Sequence, residues 1–273
     1  MSNKLVSIII TTYNQANYMG KAIQSALEQD YKNLEIVVCD DYSSDNTWEL
    51  MQDYLPEPRV RYVKNELNLG ATANYQKSLY ESTSGELVLM LNADDWLCDP
   101  TFISRAVKIF ESHPETSLVF GRVKAYFESQ DTFVEDAVNS DLPGVIDGNQ
   151  LFLDYPKGYS ITHIACLYDR KYAMEIGFYN KDGISSDLES ILRIIQNRKV
   201  GFVNNFVAVY RKHQANWTKS TDLNLLFSTS NYIDSAYEFA LMQNTISMTK
   251  LDQWRHKMLK RYFIKAVSYT HLR

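Results

Sequence analysis

Four short apolar runs, at residues 5–10, 34–39, 60–63 and 87–91, set the architecture of this chain before anything else does. They are rich in Ile, Val and Leu and begin a little under thirty residues apart. That interval is the length of a strand plus the crossover helix that a parallel neighbour requires. The runs are apolar at nearly every position, which suits strands covered on both faces of a sheet. The segments between them carry helical stripes. Ala22, Ile23, Ala26 and Leu27 form one, with Asn17 as its expected cap. Trp48, Leu50 and Met51 form another behind Ser44 or Asp45. A third helix is expected from Gly70 to about Ser82. Asp99-Pro100 opens a fourth, whose buried face is Phe102, Ile103, Ala106, Val107 and Phe110. Further on, the pattern predicts a strand over 117–127, an irregular stretch over 128–160, strands near 161–168 and 200–210, a helix over 187–196 and two helices after 222. The fold class expected from this pattern is α/β, with a parallel sheet flanked by helices and with C-terminal helices. A chain of 273 residues has ample surface to bury in such a core.

Composition narrows the function classes. The three cysteines, Cys39, Cys98 and Cys166, are odd in number and form no CxxC pair, so a disulfide framework and a zinc ribbon are both poor readings. No apolar run approaches 18 residues and the first residues lack the core of a signal peptide, which sets a cytoplasmic expectation. The net charge is −5, yet from Lys250 onward seven basic residues stand against one acid, Asp252. The acidic remainder argues against nucleic acid as a partner. In the basic segment, Leu251, Trp254, Met258 and Tyr262 fall near one helical face. Residues 250–266 therefore read either as a peripheral contact with the inner face of the cell membrane or as a helix packed on the domain. Residues 267–273 look like a translated library adapter and carry no weight in the fold reading. The domain expectation is a catalytic unit over 1–220, a helical extension over 221–266 and that tail.

In open α/β sheets ligands lie beyond the carboxyl ends of the strands. The residues there are Thr11-Thr12-Tyr13-Asn14, Asp40-Asp41-Tyr42-Ser43, the segment 65–74, and Asn92-Ala93-Asp94-Asp95. One crevice edge thus collects at least four carboxylates, several amides and a tyrosine. Carboxylates at that density repel one another unless a cation, hydrogen-bond donors or solvent stabilise them.

The ordered set formed by residues 7–14, Asp40-Asp41 with Ser43, Asp45 and Thr47, Asn68 with Gly70, and Asp94-Asp95 resembles glycosyltransferase family 2. The resemblance covers roughly residues 5–217. It implies a GT-A fold, with a mixed, mostly parallel Rossmann-like sheet flanked by helices, and an inverting transferase that uses a nucleotide sugar, with a UDP-sugar as the donor expected here. On that resemblance Tyr13 stacks on the base, Asp41 accepts the base N–H, and Thr11, Asn74 and Asp94 complete the nucleotide site. Asp94 or Asp95 holds Mn²⁺ or Mg²⁺ against the diphosphate, since hard cations take oxygen ligands. Asn92 stands where the family's signature has its first acid, and Tyr42 where a glycine is common. Gly177, Ser186-Asp187, Glu189 and Arg193 resemble the acceptor-side segment, with Asp187 as the general base and Glu189 directed elsewhere on the helix. The stretch 210–216 resembles a late motif whose histidine, here His213, approaches the metal and diphosphate; Arg211 or Lys212 is the alternative partner of the leaving group. The expected acceptor is a hydroxyl on a glycan or a lipid-linked sugar in surface polysaccharide biosynthesis.

Other enzyme classes fit less well. A dinucleotide oxidoreductase needs G-x-G-x-x-G after the first strand, and Thr11-Thr12-Tyr13-Asn14-Gln15-Ala16 stands there instead. A sugar nucleotidyltransferase needs a glycine-rich basic loop at the same place. The remaining rival is a catalytically inactive nucleotide-sugar-binding module, which Asn92, Tyr42 and Ser186 favour.

Overall fold

A computed structural model describes residues 4–135, 139, 141–183, 185–213 and 230–271, with side chains as far as Ile264. Gln214, Ala215 and Asn216 of the late motif lie outside the described residues. The first half alternates strictly: β1 (Val6–Thr12), α1 (Ala16–Leu27), β2 (Leu34–Asp40), α2 (Thr47–Tyr54), β3 (Val60–Lys64), α3 (Ala71–Glu81) and β4 (Leu87–Asn92). The second half holds β5 (Trp96–Leu97), α4 (Phe102–Ser112), β6 (Thr116–Phe127), β7 (Thr132–Glu135), β8 (Val145–Asp147), α5 (Gly148–Asp154), β9 (Cys166–Asp169), α6 (Arg170–Glu175), α7 (Ser186–Ile194), β10 (Lys199–Lys212), α8 (Asn231–Gln243) and α9 (Met248–His271).

One sheet takes in all ten of these strands, in the order β3-β2-β1-β4-β9-β6-β10-β5, with β7 on β6 and β8 on β10. β3, β2, β1 and β4 are mutually parallel, β9 is antiparallel to both β4 and β6, and β6 and β10 are again parallel. Successive residues of the central strands enter opposite cores, as the pleat requires. Ile9, Val37, Val88 and Met90 pack with α7, α8 and α9 on one face. Ile8, Ile10, Ile36, Val38, Leu89 and Leu91 pack with α1 and α4 on the other. Coverage on both faces is why these strands are apolar throughout.

Local expectations hold with differences. Asn17 lies inside α1 and does not cap it; the cap comes from Asp45, whose Oδ2 accepts the Ala16 N–H at 3.0 Å. The other oxygen of Asp45 accepts from the N–H (3.2 Å) and hydroxyl (2.6 Å) of Thr47, so one carboxylate opens two helices. Burial opposes its ionisation, but these hydrogen bonds prevail and its pKa lies below the usual carboxylate range. The two-residue β5 and the short α6 are below the length at which periodicity is readable. The apolar stripe of α9 is buried: Trp254 stacks on Phe152 with ring centroids 4.1 Å apart, and Leu251 and Met258 flank it in the core. That stripe is packed on the domain, so it is not the face that a membrane would meet.

Candidate active site

The carboxyl ends of β1, β2 and β4 open into a cavity of about 560 Å³. Thr11, Tyr13, Asp41, Asn74 and Asp94 line it together with Asp187, which arrives from the N-terminus of α7. Six of the eight residues expected from sequence thus share one space. Asp95 and His213 stand behind it.

The loops at the strand ends are held by carboxylates. Asp41 accepts from Asn65 Nδ2 (2.9 Å) and the Leu69 N–H (2.8 Å) on Oδ1, and from the Gly70 N–H (2.9 Å) on Oδ2. Asn65 Nδ2 also donates to Asn74 Oδ1 at 3.0 Å, and Asn74 Nδ2 donates to the Cys39 carbonyl at 3.3 Å. Asn74 therefore lines the cavity while its amide ties the strand-end loops together. Gly70, at φ 85°, supplies the left-handed turn into α3. Asp40 accepts from the Ser43 N–H at 2.9 Å and the Tyr62 hydroxyl at 2.5 Å. Tyr42 sits at φ 71°, so the position keeps the conformation usually given to glycine, at a cost of roughly 1–2 kcal/mol. Tyr42 is 53% exposed, and Tyr13, which lines the cavity, is 50% exposed.

Behind the cavity lies an acid cluster with its own donors. Arg211 N–H donates to Asp95 Oδ1 at 2.8 Å, and Asn92 Nδ2 donates to Asp95 Oδ2 at 3.2 Å. Burial, and then the Asp94 charge beside it, hold the Asp95 carboxyl well above the usual carboxylate range. Asn92 Oδ1 accepts from the Tyr75 hydroxyl at 2.9 Å. An amide at position 92 serves both neighbours, donating to one and accepting from the other; a carboxylate there would face Asp95 with a like charge. Asp94 Oδ2 lies 3.0 Å from His213 Nε2, and both side chains are buried. Arg211 Nε donates to the Asp94 carbonyl at 2.9 Å, and its guanidinium pairs with Glu128 at 3.2 Å. Among the described residues no three His, Cys, Asp or Glu side chains cluster as a metal cage. The chemistry of the donor set nevertheless fits a divalent cation held by one carboxylate and one imidazole, with substrate oxygens and water as the other ligands.

Across the cavity the geometry changes. Asp187 takes no hydrogen bond among the described residues, and the neighbouring Ser186 hydroxyl accepts from Thr72 Oγ1 at 3.2 Å. Glu189 faces away into a buried ion pair with Arg193 (2.7 Å) and accepts from Ser235 Oγ at 2.6 Å. Arg193 Nη2 also donates to the Gly177 carbonyl at 2.8 Å, so Glu189 and Arg193 anchor the turn before α7. Sequence reasoning passed over Tyr75 and His163 and gave Tyr210, at the head of the late motif, no role of its own; all three line the cavity. His163 lies in a one-turn 3-10 helix, in a stretch without periodicity that a sequence scan could use. Burial lowers its pKa while Asp187 and Asp94 pull it upward, and its buried Nδ1 has no partner among the described residues. The Tyr75 ring meets it edge-on at 5.4 Å.

Residues 7–177 match the family described as Glycosyl transferase family 2. The chain belongs to that family. The family 2 chain is 30% identical, over 77% of its length and 78% of the relative's, to the Escherichia coli UDP-Glc:alpha-D-GlcNAc-diphosphoundecaprenol beta-1,3-glucosyltransferase WfaP. An uncharacterized glycosyltransferase of Rickettsia conorii is 30% identical over 82% of the chain, which spans only 38% of that relative. Among solved structures, S. aureus TarS in complex with UDP-GlcNAc superposes with a TM-score of 0.77 at 16% identity, covering 95% of this chain and 72% of that one. The mannosyltransferase PcManGT from Pyrobaculum calidifontis, in complex with GDP-Man and Mn²⁺, superposes with a TM-score of 0.65 at 17% identity, covering 96% and 70%. The mixed, mostly parallel sheet with flanking helices is the GT-A fold of these glycosyltransferases.

Proposed function

We propose that this family 2 glycosyltransferase moves a sugar from a UDP-sugar to a hydroxyl of a lipid-linked glycan, with inversion at the anomeric carbon. The observation that carries the reading is one cavity with Asp41 and Asp94 on one wall and, on the other, Asp187 with no hydrogen bond among the described residues. The UDP-Glc and diphosphoundecaprenol in the name of the Escherichia coli relative, and the UDP-GlcNAc bound to TarS, support the donor and acceptor classes. A lipid-linked acceptor would bring the enzyme to a membrane face. Among the described residues no helix is long and apolar enough to cross a membrane.

In this reading Tyr13 offers a stacking face to the base. Asp41 keeps one lone-pair site for the base N–H beyond the three donors it already meets. Thr11 and Asn74 border the ribose and phosphate. Asp187 takes the proton of the acceptor hydroxyl as that oxygen attacks the face opposite the nucleotide. Asp94 and His213 would hold Mn²⁺ or Mg²⁺, which supplies positive charge against the departing diphosphate. Asp95, with both oxygens already hydrogen-bonded, would orient that pair without ligating. Arg211 fixes the same corner through its backbone and side chain.

Chelation tests the metal assignment. Transfer should be abolished by EDTA and restored by Mn²⁺ or Mg²⁺; full turnover in metal-free buffer would remove the role given to Asp94 and His213. An inactive binding module predicts UDP-sugar binding with no UDP release under any metal condition.

A further inference from the structure

A second cavity, of about 540 Å³, opens between α9 and residues 153–157. One wall is Lys257, Lys260, Arg261 and Ile264, whose spacing puts them on one helical face. The other wall is Leu153, Asp154, Pro156 and Lys157. Four cations thus stand against one carboxylate, in a chain whose net charge is −5. Asp154 is already committed, to Lys157 at 2.8 Å and to Gln150 Nε2 at 2.8 Å. Arg261 Nη1 donates to the Tyr155 carbonyl at 2.8 Å, which fixes its guanidinium on the cavity wall. Lys257 and Lys260 are exposed and have no salt-bridge partner among the described residues.

The rest of the lining is apolar and includes Ile264, 60% exposed, whose neighbour in sequence Phe263 is 42% exposed. Gathered cations bordered by exposed apolar side chains match an amphiphile with a phosphate head. The buried stripe of Leu251, Trp254 and Met258 limits the contact to headgroup charge and this apolar edge. The cavity also lies on the acceptor side of the molecule: α9, its first wall, packs on α8, and α8 packs on α7, whose first turn carries Asp187.

We propose that this cavity binds the phosphate headgroup of an anionic membrane lipid and so holds the Asp187 side of the active site at a bilayer surface. The orientation rests on the lipid-linked acceptor proposed above; the binding does not.

The test is co-sedimentation of the full chain with vesicles of phosphatidylcholine alone and of phosphatidylcholine with phosphatidylglycerol. Binding should require phosphatidylglycerol and should fall in 1 M salt, where the screening length is about 3 Å. Lys257→Glu with Lys260→Glu should reduce partitioning by about tenfold or more while UDP affinity stays unchanged. Equal binding to phosphatidylcholine, no binding to phosphatidylglycerol, or full binding by the double variant would each overturn the proposal. Inorganic phosphate that binds the native cavity, with no vesicle binding at all, would also overturn it in favour of a soluble anion. A chain that binds vesicles as expected but releases no UDP from any UDP-sugar would break the transferase reading alone.

Discussion

The two walls of the active-site cavity hold their carboxylates in opposite ways. On the wall assigned to the nucleotide, Asp41 accepts three hydrogen bonds from the protein, and Asp40 and Asp45 in the loop that carries it each accept two or more. Asp95 behind them accepts two. On the acceptor wall Asp187 accepts none among the described residues. A carboxylate tied to several backbone N–H groups fixes loop geometry, and few of its lone pairs are left for a ligand. An unbonded carboxylate at a helix start keeps its lone pairs for an incoming O–H. In the proposed function, the contrast separates residues that shape the site from the one that would take the proton.

The largest effect expected from this contrast is on turnover. Asp187→Asn should lower kcat by about 10²–10⁴-fold with UDP affinity near native, since general-base catalysis contributes on that scale. Glu189→Gln should leave kcat far less affected and should lower Tm, because it breaks the buried pair with Arg193, a change that typically costs about 3–5 kcal/mol. Near-native turnover in Asp187→Asn, with collapse in a folded Glu189→Gln, would reverse the assignment of the two acids.

Asp41→Ala sharpens the other side of the comparison. It strips the acceptor from Asn65, Leu69 and Gly70. UDP affinity measured by calorimetry should fall by about tenfold to a hundredfold, in keeping with about 1.5–3 kcal/mol for a hydrogen bond to a charged group. A loss confined to kcat would place Asp41 away from the nucleotide.

The smallest effect concerns a carboxylate far from the chemistry. Burial pushes Glu35 up, but hydrogen bonds from Ser7, Ser84 and Arg61 together outweigh it and hold its pKa below the usual range. Its stabilisation is therefore present above the unfolded pKa, about 4.3, and is lost as pH falls through the lower folded value. Thermal melts should show Glu35→Gln less stable than native by about 1 kcal/mol or less at pH 7, with the gap closing in acid. A gap that widened in acid would contradict the sign.

Much of the frame was legible because parallel strands buried on both faces must be apolar throughout and must recur at crossover spacing. Residues 5–10, 34–39, 60–63 and 87–91 did both, and β1 to β4 form there. The motif residues at the strand ends were legible for a related reason, since the open sheet places them on one edge. The cap of α1 was misassigned to Asn17 because its acceptor, Asp45, is 29 residues away in sequence. His163 and Tyr75 escaped notice because neither periodicity nor spacing marks a side chain that enters a cavity from an irregular turn or a helix flank. The basic segment 250–266 was ambiguous because a helical apolar stripe reads the same whether it meets a bilayer or a core.

The sequence by itself determined the α/β class, the order of the first four strands and helices, and the collection of acids along one crevice edge. These follow from short-range pattern and the fixed geometry of strands and crossovers. Only the tertiary structure decided that β9 inserts antiparallel between β4 and β6, that Asn92 donates to Asp95 while accepting from Tyr75, and that Asp94 pairs directly with His213, 119 residues away in sequence. It gave Glu189 its buried partner Arg193, and it left Asp187 at the cavity without a hydrogen bond among the described residues. The physical reason is the same in each case: hydrogen bonds and ion pairs between residues distant in sequence depend on how elements pack, and local pattern carries no record of that packing.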